Sequence, residues 1–176
     1  MPLGEESDRR QAALRAMAHP ARLQILSLLT GSAMTAAELA RELGLTHANA
    51  SYHLRNLLNA GLIVPDGEER IRGGVAKRYR YDNTREREPG KVDPGTQQAL
   101  FTAVANELAR RTAQGDWSIG NTMTDAELWV DPEVFLELRN RITQLSRDLH
   151  AAARAPRSPG TVRTSTTIAM FRMEET

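Results

Sequence analysis

The sequence predicts an α+β protein, mainly α, and three observations carry that prediction. Two helical apolar sets, Leu39/Ala40/Leu43 and Leu45/Ala50/Leu54/Leu57/Leu58, follow one another across a single Gly44. Two strand-like runs, Leu62–Pro65 and Val75–Tyr81, then flank a basic tip that contains Gly73 and Gly74. Beyond a polar stretch interrupted by Pro89-Gly90 and Pro94-Gly95, helical and β-branched runs alternate to the end. Two short helices joined by a tight turn and followed by a hairpin make a winged helix-turn-helix, expected at residues 8–85. A small helix-strand-helix-strand domain is expected at residues 95–176.

Each element has a local reason. Residues 7–18 place Ala12, Ala13, Leu14 and Met17 on one side. His19-Pro20 breaks that helix, and Pro20 suits the first position of the next. Residues 21–30 hold Leu23, Ile25, Leu26, Leu28 and Leu29. That is too apolar for a surface helix, so this one is expected at the centre. Thr35 with Glu38 three residues later is a capping box. Gly44 suits the left-handed position that closes a helix, and Thr46 caps the recognition helix, expected over 46–59. Val75, Lys77, Tyr79 and Tyr81 alternate with Ala76, Arg78 and Arg80 at the period of a strand. Residues 82–94 are read as a linker.

In the second unit, residues 96–112 carry Leu100, Ala103, Val104 and Leu108 along one stripe. Residues 115–122 read as a turn or loop and residues 123–130 as a strand. Asp131-Pro132 then opens a helix whose Phe135, Leu138, Ile142, Leu145 and Leu149 form a seam suited to another helix or a partner subunit. Residues 155–160 are a proline-containing turn, and β-branched residues in 161–173 predict a closing strand.

The bulk numbers narrow the function classes. A chain of 176 residues suffices for one large domain or two small ones with real cores. Cysteine is absent, which excludes disulfides, thiolate metal sites and cysteine nucleophiles. Residues 1–6 show no basic region leading into an apolar run, and no apolar segment approaches the roughly 18 residues of a membrane span. A soluble, cytoplasmic protein is expected. The net charge is only +1, but its distribution is uneven. From Arg9 to Arg85, 12 basic residues face 6 acidic ones (+6); from Glu86 to Thr176, 11 face 13 (−2). The positive field therefore lies on the first unit, as a polyanion partner requires.

Met17-Ala18-His19-Pro20-Ala21-Arg22-Leu23-Gln24-Ile25-Leu26 resembles the opening of ArsR-type winged-helix regulators. Ala37-Glu38-Leu39-Ala40 with Leu43-Gly44-Leu45-Thr46 resembles that family's helix-turn-helix. Ser51-Tyr52-His53-Leu54-Arg55-Asn56-Leu57 with Ala60-Gly61-Leu62-Ile63 resembles its recognition helix and exit. The resemblance covers residues 10–82, and residues 95–176 are similar to the appended C-terminal domain of larger, actinobacterial-type members. It implies a bacterial transcriptional regulator that binds double-stranded DNA as a homodimer.

The residues themselves point the same way. With Ala50, Leu54 and Leu57 inward, His47, Ala48, Asn49, Ser51, Tyr52 and Arg55 project outward, and no acidic residue lies between Leu43 and Pro65. Asn pairs bidentately with adenine and Arg with guanine. Base contacts are expected from His47, Asn49, Ser51, Tyr52 and Arg55, and backbone contacts from Thr46, Arg72, Lys77 and Arg78. Asp66, Glu68 and Glu69 confine contact to the far arm of the 66–80 wing. His53 reads equally well as a structural histidine and as a phosphate-facing one.

Metal and enzymatic readings find little support. His19, His47, His53 and His150 form no i, i+4 pair, and there is no glycine-rich phosphate loop, nucleophile elbow or clustered carboxylates against a histidine. No cofactor, metal or catalytic residue is expected. Trp117, Trp129 and Phe135 read either as core or as the lining of a pocket for an unidentified small-molecule effector. A homodimer is expected, with helices 7–18 and 96–112 at the interface, because one recognition helix offers too few base contacts for operator affinity. A winged-helix protein-interaction module without specific DNA readout is the alternative.

Overall fold

A computed structural model describes residues 3–82 and 93–174. Most of the expected linker, and Arg85 at the expected domain boundary, lie outside the described residues. The order is α1 (Leu3–Met17), α2 (Pro20–Gly31), β1 (Met34–Thr35), α3 (Ala36–Leu43), α4 (His47–Asn59), β2 (Ile63–Ile71), β3 (Gly74–Tyr81), α5 (Pro94–Thr112) and α6 (Pro132–Ala152).

The core gathers where the first five helices and the sheet meet. Ile25, Leu29, Leu39, Leu57 and Ile63 are its largest fully buried side chains. α2 touches α1, α3, α4, α5, α6 and β3, which explains why its sequence is apolar nearly all round. Truncating one of these side chains, as in Leu57→Ala, costs about 2–5 kcal/mol.

The sheet is antiparallel in the order β1-β3-β2. β1 has only two residues, pairing Met34 with Tyr79 and Thr35 with Arg78. It leads directly into α3, whose capping box is closed in both directions: Thr35 N donates to Glu38 Oε2 at 2.8 Å, and Glu38 N donates to Thr35 Oγ1 at 3.2 Å. β2 is an edge strand, so Pro65 removes no ladder bond that the sheet needs. The ladder passes from Pro65↔Tyr79 to Glu68↔Lys77, three steps on β2 against two on β3. This bulge contains Gly67 at φ 94° and bends the wing. The near arm is therefore strand as far as Ile71, beyond the Leu62–Pro65 run expected from the sequence, and the turn is confined to Arg72-Gly73.

α5 packs on α1 and α2 and so belongs to the same body as the winged unit. Its buried line runs Thr96, Ala103, Glu107, while Leu108, expected inward, is exposed. Glu107 is only 2% exposed and accepts from Gln24 Nε2 on α2 at 2.8 Å and from the Arg110 guanidinium. Thr96 Oγ1 accepts from Gln11 Nε2 on α1 at 3.2 Å. Polar contacts of Thr96 and Glu107 thus share the inward side of the helix with Leu100 and Ala103.

The two expected C-terminal strands do not form within one copy. Among the described residues, residues 119–130 and 162–173 make no backbone hydrogen bond. A run with strand chemistry becomes a strand only against another edge, and neither segment has one here. α6 buries no residue. Its C-terminal end is anchored, with the His150 ring against Tyr81 and the segment beyond it over Gly31, where an added Cβ would lie 2.7 Å from the Arg154 carbonyl oxygen. Arg157 Nη1 pairs with Glu42 on α3 at 2.6 Å.

Candidate nucleic-acid interface

α4 begins at a cap of the expected kind: Thr46 Oγ1 accepts from Asn49 N at 3.2 Å. Gly44, at φ 65° and ψ 29°, closes α3 in the left-handed conformation and sets the angle between the two helices. Ala50, Leu54 and Leu57 are buried against the core. The opposite side presents Thr46, His47, Ala48, Asn49, Tyr52 and Arg55 to solvent, with Ser51 half-buried beside them. Tyr52 is 53% exposed. The Asn56 amide is committed to the Tyr52 carbonyl oxygen at 2.9 Å, which removes it from the readable face.

His53 is buried, 8% exposed, and its ring lies 4.9 Å from that of His19 and 5.4 Å from that of Tyr52. It is a packing residue behind the exposed face and not a phosphate contact. Burial lowers the affinity of both histidines for a proton; the Arg22 cation lowers it further in each, and His19 does so for His53. Neither Nδ1 has a hydrogen-bond partner among the described residues. Arg22 holds this corner by donating to the Ala16 and Arg15 carbonyl oxygens at the end of α1.

The wing divides its cations into two kinds. Arg70, Arg72 and Lys77 are exposed and have no ion-pair partner among the described residues. Gly73 at φ 94° allows the tight tip that carries Arg72 outward. Arg78 is different. Its guanidinium lies 2.7 Å from Glu69 and 3.6 Å from Glu38, and it donates to the Ala33 carbonyl oxygen. Its charge is spent clamping the wing to β1 and the start of α3. Arg80 pairs with Asp66 at 3.4 Å. Arg70, not counted among the contact residues from sequence, sits opposite Val75 one pair from the tip, and that register is what brings it to the outer end.

Among the described residues no three His, Asp or Glu side chains come close enough to hold a metal ion. Trp117 and Trp129 are both exposed. A shallow cleft at the start of α6 is lined by Trp129, Val130, Asp131 and Val134 only. No described helix is long and apolar enough to cross a membrane.

Comparison with known proteins agrees with this geometry. Residues 17–65, which span α2 to the start of β2, match the helix-turn-helix domain family. Over 62 residues the chain is 44% identical to the HTH-type transcriptional regulator YgaV of Escherichia coli (strain K12), a match covering 35% of this chain and 63% of that protein. The chain thus spans somewhat under two thirds of that relative's length. A solved structure of a possible transcriptional regulator for arsenical resistance aligns with 59% of this chain and 96% of its own, at 27% identity and a TM-score of 0.35. The helix pair and hairpin built above on Thr35, Gly44, Thr46 and the buried Leu54 and Leu57 are a helix-turn-helix domain with a wing.

Proposed function

We propose that this chain is a sequence-specific DNA-binding transcriptional regulator of the ArsR type. The observation that carries the reading is the exposed face of α4 from Thr46 to Arg55, which contains no carboxylate, together with wing cations Arg70, Arg72 and Lys77 that are exposed and without an ion-pair partner among the described residues. The helix-turn-helix match and the regulator relative support it. His47, Asn49, Ser51, Tyr52 and Arg55 read base edges in the major groove, and Thr46, Arg72 and Lys77, joined by Arg70, hold the phosphates. Arg78 serves as the anchor of the wing. The protein has no enzymatic role in this reading.

The functional unit is a homodimer on an inverted repeat, with half-sites about 34–36 Å apart. α1 and α5 supply the interface; Phe101 and Leu108 lie two turns apart on α5, both exposed, as a partner surface needs. Selection of genomic fragments by the purified protein at about 150 mM salt, with excess random competitor, tests the reading. Enrichment of a short inverted repeat is the expected result. Failure to enrich any sequence, with only weak dependence on salt, would reject DNA readout in favour of a protein-interaction role.

A further inference from the structure

The helix-turn-helix, from Ala36 to Asn59, holds two carboxylates, Glu38 and Glu42, one turn apart on one face of α3. Each meets an arginine from a distant part of the chain. Glu38 has Arg78 of β3 at 3.6 Å, and Glu42 has Arg157, from beyond α6, at 2.6 Å. The two acids differ in place. Glu38 lies in the first turn of α3 and is held by the capping box, whereas Glu42 stands at the other end, two residues before Gly44. The chain folds back there, with Leu45 N donating to the Ala40 carbonyl oxygen at 2.9 Å. Thr46 is four residues on, so its Cα lies within about 14 Å of that of Glu42. Glu42 is thus the acid nearest in sequence to the exposed face of α4.

The segment that reaches Glu42 is basic throughout. Residues 149–173 contain Arg154, Arg157, Arg163 and Arg172 and no acid. His150 rests against Tyr81 and the Arg154 carbonyl oxygen covers Gly31, so the chain arrives at α3 already seated. Residues 155–158 then form a turn in which Ser158 N donates to the Ala155 carbonyl oxygen at 3.2 Å. Pro156 takes the second position of that turn and Arg157, at φ 63°, the third. A positive φ at this position favours glycine or asparagine. Arg157 is the one non-glycine residue at positive φ among the described residues. The backbone gains nothing from arginine here, whereas the side chain reaches Glu42. With Arg157 78% exposed, the ion pair adds little to stability, so its consequence lies elsewhere. The hydrogen bond from Arg157 holds the Glu42 carboxyl below the usual carboxylate range, so the group is ionised at neutral pH.

We propose that Arg157 completes the DNA-binding surface by cancelling the charge of Glu42, so that phosphates approaching the start of α4 meet no net negative charge there. The C-terminal region thereby contributes to DNA affinity through its charge, without a phosphate contact of its own. This deepens the DNA reading above and rests on it. Glu38 matters less to the same phosphates, because it stands about 6 Å further along α3 from the turn into α4.

Three full-length variants test the cancellation on the selected operator and on a random-sequence duplex: Arg157→Gly, Glu42→Gln and both together. Glycine suits the turn, so Arg157→Gly removes the guanidinium and should leave the urea midpoint at the wild-type value. Its affinity for both DNAs should fall about three- to tenfold at about 0.05 M salt, and by less at about 0.3 M, where screening is stronger. Glu42→Gln alone should bind at least as tightly as the wild type. The double variant, neutral at both positions, should return to wild-type affinity. An Arg157→Gly chain that binds like the wild type overturns the proposal; if Arg72→Ala still weakens binding to both DNAs, the DNA reading stands without it. A double variant as weak as Arg157→Gly also overturns it, and makes Arg157 a phosphate contact or a tie for the C-terminal segment. A wild-type chain that binds neither DNA overturns the proposal together with the reading on which it rests.

Discussion

The imidazole rings of His19 and His53 lie 4.9 Å apart, inclined at 49°, and neither Nδ1 is hydrogen-bonded among the described residues. His19 joins α1 to α2 and His53 is on the inner side of α4, so the pair ties α4 to the body. The Arg22 guanidinium and the Tyr52 ring complete the surroundings. Both histidines bind protons less readily in the fold than in the unfolded chain. The unfolded chain therefore takes up more protons as pH falls below about 6.5, and stability falls with it. This contribution is fully present above the unfolded pKa and diminishes as pH drops toward the folded one. The urea midpoint of the wild-type chain should decline between pH 7 and pH 5.5, and His53→Gln should flatten that decline. Equal pH dependence in both proteins would dissociate the pair from acid sensitivity.

Arg55 and the wing cations should fail in different ways. Arg55→Ala is expected to cost about 1–3 kcal/mol of operator binding and to relax specificity at one base position. Arg72→Ala or Lys77→Ala should weaken specific and random DNA alike and reduce the slope of log affinity against log salt by about one. Binding isotherms at several salt concentrations on both kinds of DNA separate the two behaviours. Equal losses for Arg55→Ala on both would make Arg55 a phosphate contact.

Arg78→Ala should register as lost stability. It removes the clamp on Glu69, Glu38 and the Ala33 carbonyl oxygen, at about 1–2 kcal/mol since the pair is part-solvated. The salt slope of DNA binding should stay that of the wild type. A slope reduced by about one, with the urea midpoint unchanged, would return Arg78 to the phosphate contacts.

Glu107 carries the attachment of α5. Burial pushes its carboxyl up, but the hydrogen bonds from Arg110 and Gln24 outweigh burial and hold it below the usual carboxylate range. Glu107→Ala leaves Gln24 without its acceptor and should cost about 1–3 kcal/mol. Amide exchange is the direct check: α5 should lose protection while α3 and α4 keep theirs. Uniform loss across all helices would mean that α5 and the helix-turn-helix unfold as one.

The parts of the interface that could be read in the sequence are those set within a few residues. Thr35 and Glu38 find each other across one turn, Gly44 meets a local demand for positive φ, and Thr46 bonds an amide three residues on. Ala50, Leu54 and Leu57 face inward because the helical period puts them on one side, so the exposed set from His47 to Arg55 follows by elimination. The charge imbalance between the two halves is likewise a property of the chain alone.

Tertiary structure decided what depends on residues far apart in the chain. Arg78 is one more wing cation until β1, 43 residues earlier by its pairing of Thr35 with Arg78, brings Glu38 beside it. Glu107 reads as a surface acid until Gln24 arrives from α2. His53 could have faced phosphate or core until His19 took the place next to its ring. The runs at 123–130 and 161–173 have strand chemistry from their sequence, but a strand exists only as a pair. The sequence by itself determined which faces are apolar, which turns close and where the charge lies, because each is a matter of local geometry. Only the fold decided which charges are neutralised and which segments find an edge, because each of those needs a distant partner.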